Sequence, residues 1–304
     1  MSHIDHVQSK RLGAGRTPLS GKTCLVTGAS SGLGKETALG LARAGAMVLL
    51  VCRDRGRGEA AAAEIRQRAP VGEVELLVGD LASQRQVRAV AAQVLERHQR
   101  LDLLINNAAA ANPVRRVTED GLEATFAANH MAPFLLTQLL HEPMLRGAPS
   151  RVVNVSSHTH KWVKAIPWDD LQSERKYQGS AAYNLSKLMN VLFTTELARR
   201  WAPTEVTVNC LHPGWPLKTA LGRQATGISG VFDRLTKLFG ASAQHGARTQ
   251  LFLATSPDVA SVTGAYFVKS KPAQPSPLAR DQDAAARLWQ QSAASCGLDV
   301  GRDG

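Results

Sequence analysis

Apolar positions along this chain follow two periods, and the switches between them mark out its elements. Short runs rich in β-branched residues and leucine occur at Thr23–Thr27, Met47–Cys52, Val74–Val78, Leu101–Ile105, Arg151–Val155, Val206–Leu211 and Ala265–Val268. Between most of them lie alanine- and leucine-rich stretches with helical spacing: Lys35–Ala44, Gly58–Arg68, Gln84–His98, Gly121–Leu140 and Ala182–Trp201. Strands alternating with helices predict an α/β fold, a parallel sheet covered on both faces. Seven such strands fit one doubly wound domain over residues 21–304, with right-handed crossovers. Residues 1–20, polar and containing Gly13, Gly15 and Pro18, read as an N-terminal arm. The tail, 271–304, is rich first in proline and then in alanine, and predicts one helix around Ala284–Ser292.

Composition narrows the function classes. The formal net charge of +11 is compatible with a nucleic-acid or membrane-surface partner. Yet the basic residues are dispersed, with only short clusters such as Arg53-Asp54-Arg55-Gly56-Arg57 and no basic run interleaved with aromatics. Nucleic-acid binding is therefore not expected. No uninterrupted apolar run is long enough to span a bilayer, and the start lacks the apolar stretch of a secretory signal. Cys24, Cys52, Cys210 and Cys296 are scattered without a close pair, which argues against a zinc site or a disulfide framework. Reduced thiols in a cytoplasmic protein, with no metal, are the expectation.

Two local patterns carry chemistry. In Thr27-Gly28-Ala29-Ser30-Ser31-Gly32-Leu33-Gly34 a tight loop joins an apolar strand to a helix. Small residues there let backbone approach a pyrophosphate, and the helix N-terminus supplies N–H groups for its charge. The second strand ends in Val51-Cys52-Arg53-Asp54, so Arg53 stands where an acidic residue would hold ribose hydroxyls. A guanidinium suits a 2′-phosphate, so NADP(H) is favoured over NAD(H). Asp54 complicates this by pairing with Arg53 or turning away, and the alternative is that Arg53 is a solvated helix cap. The second pattern is Tyr183-Asn184-Leu185-Ser186-Lys187, which puts a phenol and an ammonium on one helix face. A nearby ammonium favours the phenolate and predicts a lowered tyrosine pKa, tuning Tyr183 as an acid/base for hydride transfer to a carbonyl.

With these patterns in place, the chain resembles the short-chain dehydrogenase/reductase family from about Leu19 to the last helix. The glycine loop, Asn106-Asn107-Ala108, Asn129, Ser157, the Tyr183–Lys187 pair and His212-Pro213-Gly214 occur in the family's order. Within it, Cys52-Arg53-Asp54, Asn129-His130, Asp170-Leu171, the stretch from Ser186 to Phe193 and Arg287-Leu288-Trp289 are most similar to the retinol dehydrogenase branch. The resemblance implies a Rossmann-like fold and an NAD(P)H-dependent oxidoreductase that interconverts a carbonyl and an alcohol. It assigns Tyr183 the proton, Ser157 (rather than Ser156) the substrate oxygen, and Asn129 a water leading to Lys187, which also holds the nicotinamide ribose. By the same resemblance the cofactor touches Gly28, Ser30, Ser31, Gly32, Leu33, Gly34, Arg53, Asp80, Leu81, Asn107, Pro213, Gly214 and Thr219. Asp80 would contact the adenine and Asn107 its ribose, while Asn106 braces the sheet. The branch often carries a membrane-anchoring N-terminal segment, and none is expected here.

Departures from the family pattern bear mainly on the substrate. Ala109 replaces the usual glycine, strained if that position needs a positive φ. Lys218 occupies the position of a usual threonine or serine, with Thr219 one later, and the interval from Ser157 to Tyr183 is one residue longer than in the branch. The lid segment, 215–240, carries Val231, Phe232, Leu235, Leu238 and Phe239 at helical spacing, which reads as core, pocket wall or membrane-surface contact. The first two suit a bulky apolar aldehyde or ketone. Other classes stay open: a non-catalytic nucleotide-binding relative, or a same-fold enzyme with another chemistry such as epimerisation. The resemblance finally implies a homodimer or homotetramer in which the Tyr183 helix and Gly121–Leu140 pack across a two-fold axis. The alternative is that the C-terminal helix folds back over that apolar face.

Overall fold

The apolar runs are buried on both faces, and seven of them become parallel strands. In the computed structural model, which describes residues 17–214 and 242–299, the strands are β1 Thr23–Thr27, β2 Met47–Cys52, β3 Glu73–Val78, β4 Leu103–Asn106, β5 Ser150–Val155, β6 Val206–His212, β7 Tyr266–Val268 and β8 Lys271–Ala273. They make one sheet in the order β3-β2-β1-β4-β5-β6-β7-β8, parallel except for the last pair. Strand order reverses between β1 and β4, which opens a crevice beyond their carboxyl ends.

The expected seven strands are eight. Lys271-Pro272-Ala273 is too short to show a period and contains a proline, which confines it to the sheet edge. Lys269 and Ser270, at φ 49° and 61°, turn the chain into this antiparallel hairpin.

The helices are α1 Gly32–Arg43, α2 Arg55–Arg68, α3 Gln84–Arg97, α4, α5 His141–Arg146, α6 Gly179–Arg200, α7 Ala243–Thr255 and α8 Gln282–Ser295. The polar spacing of α7 hid it from the sequence reading. The continuous helix expected over Gly121–Leu140 is instead composite: α4 runs Ala124–Phe126, widens to a π-helical segment Ala127–Met131, and resumes as Ala132–Leu139. Pro133 explains the widening, because its ring crowds the Asn129 carbonyl and it has no N–H to offer it. Among the described residues, no helix is long and apolar enough to cross a membrane.

Two apolar clusters sandwich the sheet. One holds α1, α2 and α7 on it; the larger holds α3, α4, α6 and α8. Helix α6 is buried along most of its length because α8 lies over the face that the sheet leaves free. Trp289 sits 5.0 Å from the Phe134 ring and 6.1 Å from Phe193. His130 Nε2 meets Ser292 Oγ at 2.8 Å, and the Arg200 guanidinium lies 4.5 Å over the Trp289 ring. Glu196, buried beneath, ties Arg199 and Arg200 at 2.7 and 2.8 Å. The apolar surface expected to recruit a second copy is thus covered by the chain's own C-terminal helix, which removes that argument for a dimer. The N-terminal arm up to residue 16 and the whole 215–240 lid lie outside the described residues.

Trp289→Ala should therefore destabilise the protein by about 3–5 kcal/mol, the range for emptying an aromatic core site. Urea unfolding measures it, and a loss below about 1 kcal/mol would show that α8 is not part of the cooperative core.

Candidate active site

The glycine loop is built so that backbone meets backbone. Gly28, at φ 67°, donates its N–H to Val51 O at 2.9 Å, and a Cβ there would fall 2.9 Å from Ala108 Cα. At Gly34 a Cβ would collide with the Gly28 carbonyl and the Asn107 amide. The loop delivers the chain to α1, whose N-cap Ser31 makes no side-chain capping bond and whose first turn holds no acid. Uncapped N–H groups facing a crevice at the strand reversal suit an anionic diphosphate. Ser30 and Leu33 lie in the same loop and first turn.

Asn107 holds this loop to β4. Its Nδ2 donates to Thr27 O at 2.9 Å, its main-chain N–H to Thr27 Oγ1 at 2.9 Å, and its Oδ1 accepts from Gln250 Nε2 at 3.2 Å. Asn106 braces the sheet, donating to Thr137 Oγ1 at 3.1 Å and Asn154 Oδ1 at 2.9 Å. Asp80 and Leu81 follow β3, where the Asp80 carboxylate accepts from Ala82 N at 3.0 Å. Ala109 is not at positive φ, so the feared strain is absent.

At the end of β2 the cation that reaches the loop is Arg57, not Arg53. Arg57 Nη2 donates to Ser31 Oγ at 3.3 Å, whereas Arg53 is exposed and no ion pair joins it to Asp54. Asp54 turns away to cap α2, accepting from Arg57 N at 2.8 Å. The signal was present in Arg53-Asp54-Arg55-Gly56-Arg57, but only the helix geometry selects the last arginine.

The catalytic candidates converge at the carboxyl ends of β5 and β6. Ser157 follows β5 in extended conformation. Its Oγ accepts from Thr159 N at 3.3 Å and from Thr159 Oγ1 at 3.2 Å, which leaves its own proton to be donated outward. Ser156 is spent internally, donating to Lys187 O at 2.7 Å. On α6, Tyr183 lies near enough to Ser157 for that hydroxyl to favour its phenolate, and Lys187 Nζ donates to Val155 O at 3.1 Å, 5.6 Å from the Tyr183 ring. Asn129 Nδ2 donates to Ala110 O at 2.8 Å and Ser186 Oγ at 3.0 Å, and its Oδ1 accepts from Ala110 N at 2.6 Å. Pro213 and Gly214 close the far side, where Gly214, at φ 108°, donates its N–H to His212 Nδ1 at 3.0 Å. Thr219 and Lys218 lie outside the described residues.

The electrostatics correct one expectation. Burial pushes the Tyr183 phenol up to about 12, and the Ser157 hydroxyl only partly offsets this. Burial also pushes the Lys187 ammonium down to about 8. In the protein by itself, then, loss of water outweighs the attraction expected between phenolate and ammonium.

Two residues of this site were missed in the sequence, Thr159 and His160. His160 is fully buried and places Nδ1 2.7 Å from Ser157 O. The only signal was their position just after Ser157.

The short chain dehydrogenase family pattern matches residues 22–226 of this chain. The chain belongs to that family. This short-chain dehydrogenase is 43% identical to retinol dehydrogenase 14 of Homo sapiens, over 96% of its own length and 91% of the relative's. Among solved structures it is similar to a Mycobacterium paratuberculosis protein, with 32% identity, a TM-score of 0.74 and coverage of 93% and 96% of the two chains. It is also similar to Pseudomonas aeruginosa RhlG in an active-site complex with NADP, with 26% identity, a TM-score of 0.65 and coverage of 82% and 94%. The short-chain dehydrogenase assignment makes the protein an oxidoreductase, with retinol dehydrogenases among its relatives.

Proposed function

We propose that this short-chain dehydrogenase interconverts a bulky apolar aldehyde or ketone and its alcohol, with NADP(H) as cofactor and Tyr183 as the acid/base. The observation that carries the reading is the convergence of Ser157, Tyr183 and Lys187 beside an uncapped helix N-terminus at the strand reversal. The residues fit a nicotinamide dinucleotide: Gly28 and Gly34 have no room for a Cβ, and α1 offers free N–H groups to a diphosphate. Gly28 to Gly34, Asp80, Leu81, Asn107, Pro213 and Gly214 would hold it, with Thr219 from the lid. When bound, it supplies or removes the hydride at the carbonyl carbon.

The chain's own residues do the rest. Ser157, its lone pairs engaged by Thr159, donates its proton toward the substrate oxygen and stabilises charge that builds there. Tyr183, protonated throughout the neutral range, delivers the proton that oxygen needs. Lys187 keeps a positive charge beneath Tyr183 and favours departure of that proton. The Asn129 side chain is committed to Ala110 and Ser186, so its part in proton supply falls to its carbonyl, which Pro133 leaves without the usual helix donor. The relatives named as retinol dehydrogenases support a bulky apolar substrate. Four free, buried cysteines support a reducing, cytoplasmic setting. With α8 across the α6 face, we read the protein as a monomer.

Tyr183→Phe removes the proton donor and little volume, so turnover should fall roughly a hundred- to ten-thousand-fold while NADPH still binds. A folded variant with wild-type turnover would refute the mechanism.

Carbonyl reduction needs Lys187 charged, and burial holds that group near pKa about 8. Its kcat/KM should be level below this pH and decline above it as one proton is lost. A rate that stays level from pH 7 to pH 10 would remove Lys187 from the proton step.

For the cofactor, Arg57→Ala should weaken NADPH by about ten- to a hundred-fold and NADH little, with a smaller effect from Arg53→Ala. Fluorescence titration of both nucleotides decides this. Equal losses for the two would return the choice to NAD(H).

A further inference from the structure

One buried imidazole joins the catalytic strand end to the C-terminal segment, and its hydrogen bonds fix which nitrogen carries the proton. His160 has no accessible surface. Its Nε2 lies 3.1 Å from the main-chain N–H of Ser276, which can only donate, so Nε2 must present a lone pair. The proton of the neutral ring is then on Nδ1, 2.7 Å from Ser157 O. The same carbonyl also receives the His160 main-chain N–H at 3.3 Å. The ring stands edge-on to Tyr266 at 5.1 Å, so it cannot swing away without disturbing the core. Burial lowers the His160 pKa, and the bond to Ser157 opposes this only in part, which keeps the ring neutral.

Around this ring the turn from His158 to Trp162 is clamped twice to the segment after β8. Ser276 reaches back to His160, and Lys161 Nζ donates to Gln274 O at 3.0 Å. Thr159 meanwhile grips Ser157 Oγ. The serine is thus held by both its carbonyl and its hydroxyl, and the ring that holds the carbonyl is itself held from 116 residues away in sequence. A strand end that only had to terminate would not need a fully buried imidazole in its less common tautomer.

We propose that His160 is a positioning residue for Ser157: as the Nδ1–H tautomer it anchors the serine main chain to the C-terminal segment and so sets where the hydroxyl points. This rests on the carbonyl–alcohol reading above. Reactions of this kind are sensitive to sub-ångström placement of the donor. Losing the anchor should lower kcat and leave cofactor binding alone, because His160 touches no part of the glycine loop.

The test uses the full chain and three variants. His160→Asn keeps an N–H donor near the place of Nδ1 but cannot reach Ser276. His160→Gln keeps an acceptor for Ser276 but loses the donor to Ser157. His160→Ala loses both. The expected result is a fall in kcat of about three- to thirty-fold in the Ala and Gln variants, recovery in Asn, and an unchanged Kd for NADPH in all three. Thermal unfolding of each variant separates this from damage to the fold, since a structural bracket alone would make kcat follow Tm. Wild-type kcat in His160→Ala, or equal kcat in Asn and Gln, would overturn the proposal. Long-range proton–nitrogen NMR of nitrogen-15-histidine-labelled protein, with His160→Asn to assign the signal, reads the tautomer directly. A proton on Nε2 would overturn the proposal even if no carbonyl substrate were turned over. Absence of carbonyl turnover in the wild type would instead count against the carbonyl–alcohol reading and leave the tautomer to decide for His160.

Discussion

A buried ammonium needs an acceptor, and Lys187 has one in the carbonyl of Val155, the last residue of β5. This contact locks α6 against the strand end at the point where chemistry is proposed. Ser156 reinforces it from the other side by donating to the Lys187 carbonyl, and Asn190 Nδ2 reaches the same Val155 oxygen at 3.3 Å. Desolvation makes the lysine charge costly, which is why its pKa drops. It also puts Lys187 close enough to neutral pH to be responsive. The position of Tyr183, one turn earlier, follows from this registration.

The second constraint is how α6 is kept dry. A helix this apolar needs a cover on the side away from the sheet, and the chain provides one in α8. Trp289 fills the space between Phe134 and Phe193, and the buried Glu196 gathers Arg199 and Arg200 at the C-terminal end. His130, from the π-helical segment of α4, completes the seal through Ser292, and burial pushes its pKa down to about 3. The same widened segment carries Asn129, so the device that accommodates Pro133 also shapes the floor of the candidate site. The C-terminal segment therefore serves twice, closing the core through α8 and reaching Ser157 through Ser276 and His160.

The end of β2 shows how a local cluster of arginines is sorted by the helix that follows it. An arginine at the end of β2 in place of an acid remains the feature that favours a 2′-phosphate. The helix that begins at Arg55 brings Arg57, not Arg53, over Ser31, and uses Asp54 as its cap. Capping satisfies an orphan helix N–H, and the Asp54 carboxylate is held at that task.

Neighbouring residues alone are enough for the period-based features: seven apolar runs as parallel strands, the glycine loop, the tyrosine–lysine pair on one helix face, and the family. These are legible because strand and helix periods and short-range steric demands are written in neighbouring residues. Neighbouring residues do not determine β8, whose three residues have no period, or the π-helical break in α4, which comes from one proline ring meeting a carbonyl a turn earlier. Nor do they determine what covers α6, which guanidinium meets the loop, or the anchoring of Ser157 by His160. Each of these joins elements far apart in the chain and is set by packing and desolvation, which only the folded arrangement fixes. The phenol's raised pKa belongs with them, because the Tyr183–Lys187 spacing indicates attraction while burial decides its outcome.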